Sequence, residues 1–104
     1  MQKYRVFTSE TLDRKIKKFA PHLIKRLKNL KKQLEENPFT GKPLKSDFFR
    51  EKKWGPFRIY YLIIKDMLIV FILEFSGKKD QQRVIDDILL HLDDIIFEIK
   101  KGYG

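Results

Sequence analysis

The feature that most limits how this chain can fold is a pair of apolar runs, Phe57–Lys65 (FRIYYLIIK) and Met67–Phe75 (MLIVFILEF). Both are rich in β-branched and aromatic residues, the composition of strands. Little more than Lys65-Asp66 separates them, which predicts a tight antiparallel hairpin. Neither run alternates apolar with polar side chains, so both faces of the hairpin must be covered.

The cover is encoded on either side. Upstream, Ser9 is placed to cap a helix whose apolar face is Leu12, Ile16 and Phe19. Pro21 suits the first turn of a second helix with the stripe Leu23, Ile24, Leu27, Leu30 and Leu34, ended by Asn37-Pro38. Downstream, Val84, Ile85, Ile88, Leu89, Leu92, Ile95, Ile96 and Ile99 recur at helical spacing and predict one long amphipathic helix from about Asp80 to Ile99. Residues 2–8 and Phe48 to Trp54 read as further strands, with Phe39 to Asp47 as loop and Gly55-Pro56 as a turn. The expected fold class is α+β in the order β-α-α-β-β-β-α. A small antiparallel sheet carries a two-helix N-terminal hairpin on one face and a C-terminal amphipathic helix on the other. Residues 1–104 are expected to form a single domain.

Charge divides the chain. Of 23 basic and 14 acidic residues (net +9), residues 1–58 hold 17 basic and 6 acidic, a net of +11, and residues 59–104 hold 6 and 8, a net of −2. This asymmetry points to a polyanion-binding surface and a separate acidic one. Across residues 80–99, six Asp and Glu oppose Arg83 alone, an arc able to screen the basic half in cis. The absence of cysteine excludes a disulfide scaffold, thiolate chemistry and a Cys-based zinc site. No His, Asp and Glu spacing suits a metal, so neither metal nor cofactor is expected. The start MQKYRVFTSE has no signal-peptide core and no run is long enough to span a membrane, so the expectation is a cytoplasmic chain without membrane contact.

Two strings together resemble the RelE/ParE toxin superfamily of toxin–antitoxin modules: Asn37-Pro38-Phe39-Thr40-Gly41-Lys42-Pro43-Leu44-Lys45, then Gly55-Pro56-Phe57-Arg58-Ile59-Tyr60-Tyr61. They match the family's N-P…G-x-x-L-K loop and G-x-[YF]-R-[IVL]-x-Y strand at the right separation, within a similarity over about residues 2–85. The resemblance implies a type II toxin with a cognate antitoxin as partner. Its RelE-like members are metal-independent endoribonucleases that cleave ribosome-bound mRNA and inhibit translation, with ribosome and mRNA as partners. The alternative is a ParE-like or catalytically degenerate member that binds a target such as DNA gyrase without chemistry.

Cleavage by a 2′-hydroxyl requires removal of its proton, stabilisation of charge on phosphorus and protonation of the leaving oxygen. By resemblance Arg58 is the family strand arginine, and Arg50 and Lys52, alternate on the preceding strand, are paired basic residues of the site. Lys79 of Gly77-Lys78-Lys79 stands where the family has a phosphate-binding arginine. Ile85 stands at the position of the family's catalytic tyrosine and cannot transfer a proton. Tyr60, Tyr61 and Tyr103 read as core or terminal residues, His22 and His91 as solvated or structural, and Trp54 as core rather than a base-stacking platform.

Overall fold

The computed structural model describes residues 3–103. Strand β1 (Arg5–Thr8) leads into helix α1 (Glu10–Phe19), and a 3₁₀ turn over Pro21–Leu23 leads into α2 (Ile24–Glu36). After a second 3₁₀ turn come β2 (Lys42–Pro43), β3 (Phe49–Trp54), β4 (Phe57–Ile64) and β5 (Ile69–Gly77), then α3 (Gln81–Leu90) and α4 (Leu92–Tyr103). The sheet order is β1-β5-β4-β3-β2.

The apolar hairpin is central, and both of its faces are covered. On one face Ile59, Tyr61, Ile63, Val70, Ile72 and Phe75 meet the α1 and α2 stripe of Leu12, Ile16, Leu27, Leu30 and Leu34. On the other, Phe49, Tyr60, Leu62, Ile64, Ile69 and Leu73 meet Val84, Ile85, Ile88 and Ile99. Ser9 caps α1 as expected, accepting from Leu12 N at 3.0 Å. The same hydroxyl donates to the Leu73 carbonyl at 2.7 Å. Leu73 is the extra residue of a bulge in β5, since Tyr60 pairs with Glu74 while Tyr61 pairs with Ile72. The cap thus ties α1 to the irregular point of the central strand.

Four expectations need correction. The sheet is mixed, not wholly antiparallel: β1 runs parallel to β5, Arg5 opposite Ile69, because α1 and α2 carry the chain over one face before it returns. The β4–β5 connection is longer than Lys65-Asp66, a 3₁₀ turn over Lys65–Met67 followed by Leu68 at φ 54. Phe39 to Asp47 is not all loop, since Lys42–Pro43 pairs with Glu51 and Arg50 as β2. The C-terminal helix is two helices, broken at His91, where φ −110 and ψ 13 leave helical geometry. That bend returns the chain to the β1–β5 edge, where Tyr103 stacks on Phe7 (4.4 Å between centroids) and Phe71 (5.7 Å). Two assigned stripe residues also face outward: Phe19 is 72% exposed and Ile24 44%. Of residues 2–8, residue 2 lies outside the described part of the chain.

Candidate functional site

The geometry of the site follows from a count of residues in one turn. Trp54 and Phe57 pair across the two-residue connection Gly55-Pro56. Gly55 has φ +60 and proline fixes a negative φ at the next position, the combination of a type II′ turn. This sets the register: Lys53 opposite Arg58, Lys52 opposite Ile59, Glu51 opposite Tyr60 and Arg50 opposite Tyr61. Paired residues share a face, so Arg58, Lys53 and Glu51 lie on the α3 side. Arg50 and Lys52 lie together on the opposite side, with Ile59 and Tyr61. The structure therefore keeps Arg50 and Lys52 on a common face, as their alternation predicts, and that face is the opposite one from Arg58, although Lys52 still reaches the rim of the hollow around it.

Arg50 is buried and committed. Its Nε donates to the Asp47 carbonyl at 2.9 Å, and Nη1 donates to the carbonyls of Gly41 (2.7 Å) and Phe39 (3.3 Å). Nη2 pairs with the Asp47 carboxylate, and the guanidinium lies 5.0 Å from the Phe39 ring centroid. Tyr61 fastens the same loop: its hydroxyl donates to the Pro38 carbonyl (2.7 Å) and accepts from Gly41 N (3.0 Å). Gly41 is required by this approach, because a Cβ there would collide with the Tyr61 hydroxyl and the Glu51 carbonyl. The two strings that carry the family resemblance are thus physically one feature, a loop pinned to a strand by Tyr61 and Arg50.

Arg58 is differently placed. Its Nε lies 3.9 Å from Glu51 Oε1, with the arginine side chain 28% exposed and the glutamate 11%. Gln81, the first residue of α3, donates from Nε2 to Glu51 Oε2 at 2.7 Å and fixes the carboxylate. Around them is a shallow hollow lined also by Thr40, Gly41, Lys42, Lys52 and Lys53. Arginine with three lysines can hold phosphate oxygens, and an oriented carboxylate can accept a proton. Lys79 is exposed in the 3₁₀ turn Lys78–Asp80, just past the end of β5 that pairs with Arg58 and Phe57.

Tyr60 and Tyr61 both have structural work, as their core reading predicts. Tyr60 is fully buried with its hydroxyl 2.8 Å from Ser76 Oγ, and Tyr61 is fully buried on the loop. Burial pushes both phenols above their ordinary range. Ile85 packs in the α3 core. Trp54 is also core, with Phe57 and Phe75 rings 6.2 and 5.7 Å away. No acidic residue of α3 or α4 lines this hollow, so the screening arc does not cover it.

Sequence reasoning missed Lys53, Glu51 and Lys42. The signal was present for the first two: counting back from a two-residue Gly-Pro turn places Lys53, not Lys52, beside Arg58, and Glu51 two residues further along. Lys42 had no such signal, because β2 is only two residues long.

The family model for the ParE toxin of type II toxin–antitoxin system, parDE, matches residues 8–90. No curated protein matches the chain significantly. Among solved structures, the fold is similar to a double mutant of the Escherichia coli toxin RelE in the free state. The TM-score is 0.69 with 18% identity, covering 88% of this chain and 98% of that one. It is similar also to the toxin–antitoxin complex RelBE2 from Mycobacterium tuberculosis (TM-score 0.64, 24% identity, 75% and 94% covered). A third likeness is to the archaeal RelE–RelB complex from Pyrococcus horikoshii (TM-score 0.64, 16% identity, 74% and 97% covered). With most of its length matched by that family model, and with RelE toxins as its structural neighbours, the chain belongs to the ParE toxin family of type II toxin–antitoxin systems, within the RelE/ParE superfamily.

Proposed function

We propose that this toxin is a RelE-like, metal-independent endoribonuclease that cleaves ribosome-bound mRNA and is held inactive by a cognate antitoxin. The observation that carries the reading is the partly exposed Arg58 beside the oriented carboxylate of Glu51, in a hollow flanked by Lys42 and Lys53. In this scheme Glu51 takes the proton of a ribose 2′-hydroxyl as that oxygen bonds to the adjacent phosphorus. Arg58 and Lys53 hold the phosphate oxygens while the bond to the 5′-oxygen breaks, leaving a 2′,3′-cyclic phosphate and a 5′-oxygen that takes its proton from water. Lys52 at the hollow and Lys79 beyond the end of β5 add positive charge to the RNA path, and Arg50 keeps the loop in place. An antitoxin partner is supported by the complexes among the structural neighbours, the RelBE2 and archaeal RelE–RelB structures.

The test is mRNA cleavage in a reconstituted translation reaction, with cut sites mapped by primer extension. Wild type should cleave. Arg58→Ala should lower the rate by about 10² or more, the scale expected for a lost transition-state charge partner. Glu51→Gln should lower kcat with little change in binding. Unchanged cleavage by Arg58→Ala would overturn the assignment of that residue.

A second reading has its own observation. Ile85 is buried where the family tyrosine stands, and no histidine or exposed tyrosine lines the Arg58 hollow. A ParE-like toxin needs no proton-transfer group. Inhibition of gyrase supercoiling by wild type, without any RNA cleavage, would select this reading over the first.

A further inference from the structure

Three hollows on the surface are joined end to end by shared residues. The first lies along α2 and is lined by Ile24, Lys25, Lys28, Asn29, Lys31 and Lys32. Asn29 also lines the second, with Arg26, Gln33, Lys52, Lys53 and Trp54. Lys52 and Lys53 pass in turn into the third, the Arg58 hollow. Together the three present nine cationic side chains and one carboxylate, Glu51. We propose that this is one continuous track for an RNA backbone, running along α2, over the β3–β4 turn and into the Arg58 hollow.

Three features separate the track from an ordinary solvated lysine face. First, its cations are unpaired: among the described residues only Arg58 has a carboxylate within 4 Å, at 3.9 Å. Of the fourteen other cations, five pair, in Lys3–Glu36, Lys15–Glu74, Arg50–Asp47, Arg83 with Asp80 and Asp87, and Lys100–Asp66. Second, the charges on α2 oppose its own dipole. Lys25 and Arg26 sit in the first turn, which has no acid, and Glu35 and Glu36 close a last turn with no base. A helix selected for stability alone would carry the reverse order. Third, the pieces are held in line. Arg26 lies over Gly55, where a Cβ would strike its guanidinium, so α2 is seated directly on the turn that delivers Lys53 to Arg58. Trp54, whose buried indole N–H has no acceptor among the described residues, also lines this middle hollow.

Each phosphate neutralised by a lysine releases a condensed counterion, which makes occupancy of the track readable as a salt dependence. The choice of RNA as occupant rests on the ribonuclease reading above, and the experiment separates the two. The probe is a labelled single-stranded RNA 20-mer with 2′-deoxy sugars at the cleavable positions, titrated with the full-length toxin across a range of salt. The variant is K25Q/K28Q/K32Q, on exposed positions. Its control is R83Q/K100Q/K101Q, which removes the same three charges from the α3–α4 side.

Wild type should bind with a steep salt dependence. The α2 variant should bind at least roughly tenfold more weakly, its log–log salt slope smaller by about 2, on the scale of roughly 0.7 per lost phosphate contact. The control should match wild type. Equal losses in both variants would reduce the effect to net charge and overturn the track. Binding of polyglutamate of matched length as tightly as the RNA would make the surface a dock for acidic protein and also overturn it. Because the RNA cannot be cut, absence of ribonuclease activity in the translation assay would leave this result intact, and loss of the track would leave Arg58 chemistry untouched.

Discussion

Arg50 and Arg58 are eight residues apart, and in sequence both are arginines on strands flanking one turn. Their environments assign opposite work. Arg50 spends Nε, Nη1 and Nη2 on the loop from Phe39 to Asp47, whereas Arg58 keeps a partly exposed guanidinium beside a single carboxylate. Arg50→Ala should therefore lower unfolding stability by about 2–3 kcal/mol, measured by urea denaturation, because it leaves buried carbonyls without donors. Arg58→Ala should cost well under 1 kcal/mol in the same assay, since its one ion pair is long and partly solvated. The candidacy of Arg58 was legible from its motif. The inward turn of Arg50 was not, because it depends on acceptors presented by a folded loop, and no local pattern announces those.

At the level of elements, the hairpin and the α1 cap were legible because each is a local rule: β-prone runs about a short turn, and a serine before an amphipathic run. The break at His91 was hidden because the apolar spacing continues from Val84 to Ile99, with no glycine or proline to mark a bend. What bends the chain is remote, the docking of Tyr103 on Phe7 and Phe71 and of Lys100 near Asp66. Likewise β2 exists only because Arg50 and Glu51 offer it an edge. Helix α2 yields a prediction with two opposed signs. Lys25→Glu places a carboxylate in the first turn of the helix and should raise stability by about 0.3–1 kcal/mol in thermal melts. The same change should weaken RNA binding. A lysine kept only for folding would not show this opposition.

For the whole molecule, the two fully buried phenols back to back in β4 link stability to pH. Burial holds Tyr60 and Tyr61 above their ordinary value of 10.0 in the folded chain. The folded state thus retains protons that the unfolded chain releases, and stability is complete below about pH 10 and falls as pH rises through the folded values. Urea midpoints measured from about pH 8 to about pH 11 should decline at the alkaline end, and less steeply in Tyr60→Phe. The net charge of +9 acquires a shape at this scale. Cations gather along α2 and the β3–β4 turn, while the acids of α3 and α4 lie across the sheet from them. The charge imbalance between the two halves of the chain was visible in the sequence. That it forms a connected path was not, because the path needs the two-residue turn and the seating of Arg26 over Gly55.

The parallel pairing of β1 with β5 joins Arg5 to Ile69, 69 − 5 = 64 residues later, and among the described residues β5 is the only neighbour β1 has in the sheet. During synthesis the first strand and its two helices therefore leave the exit tunnel with their apolar stripe facing no sheet, and must wait for the last strand to be made. The sheet is in this way completed only once β5 has been made, and the timing of its completion follows from the order of its strands.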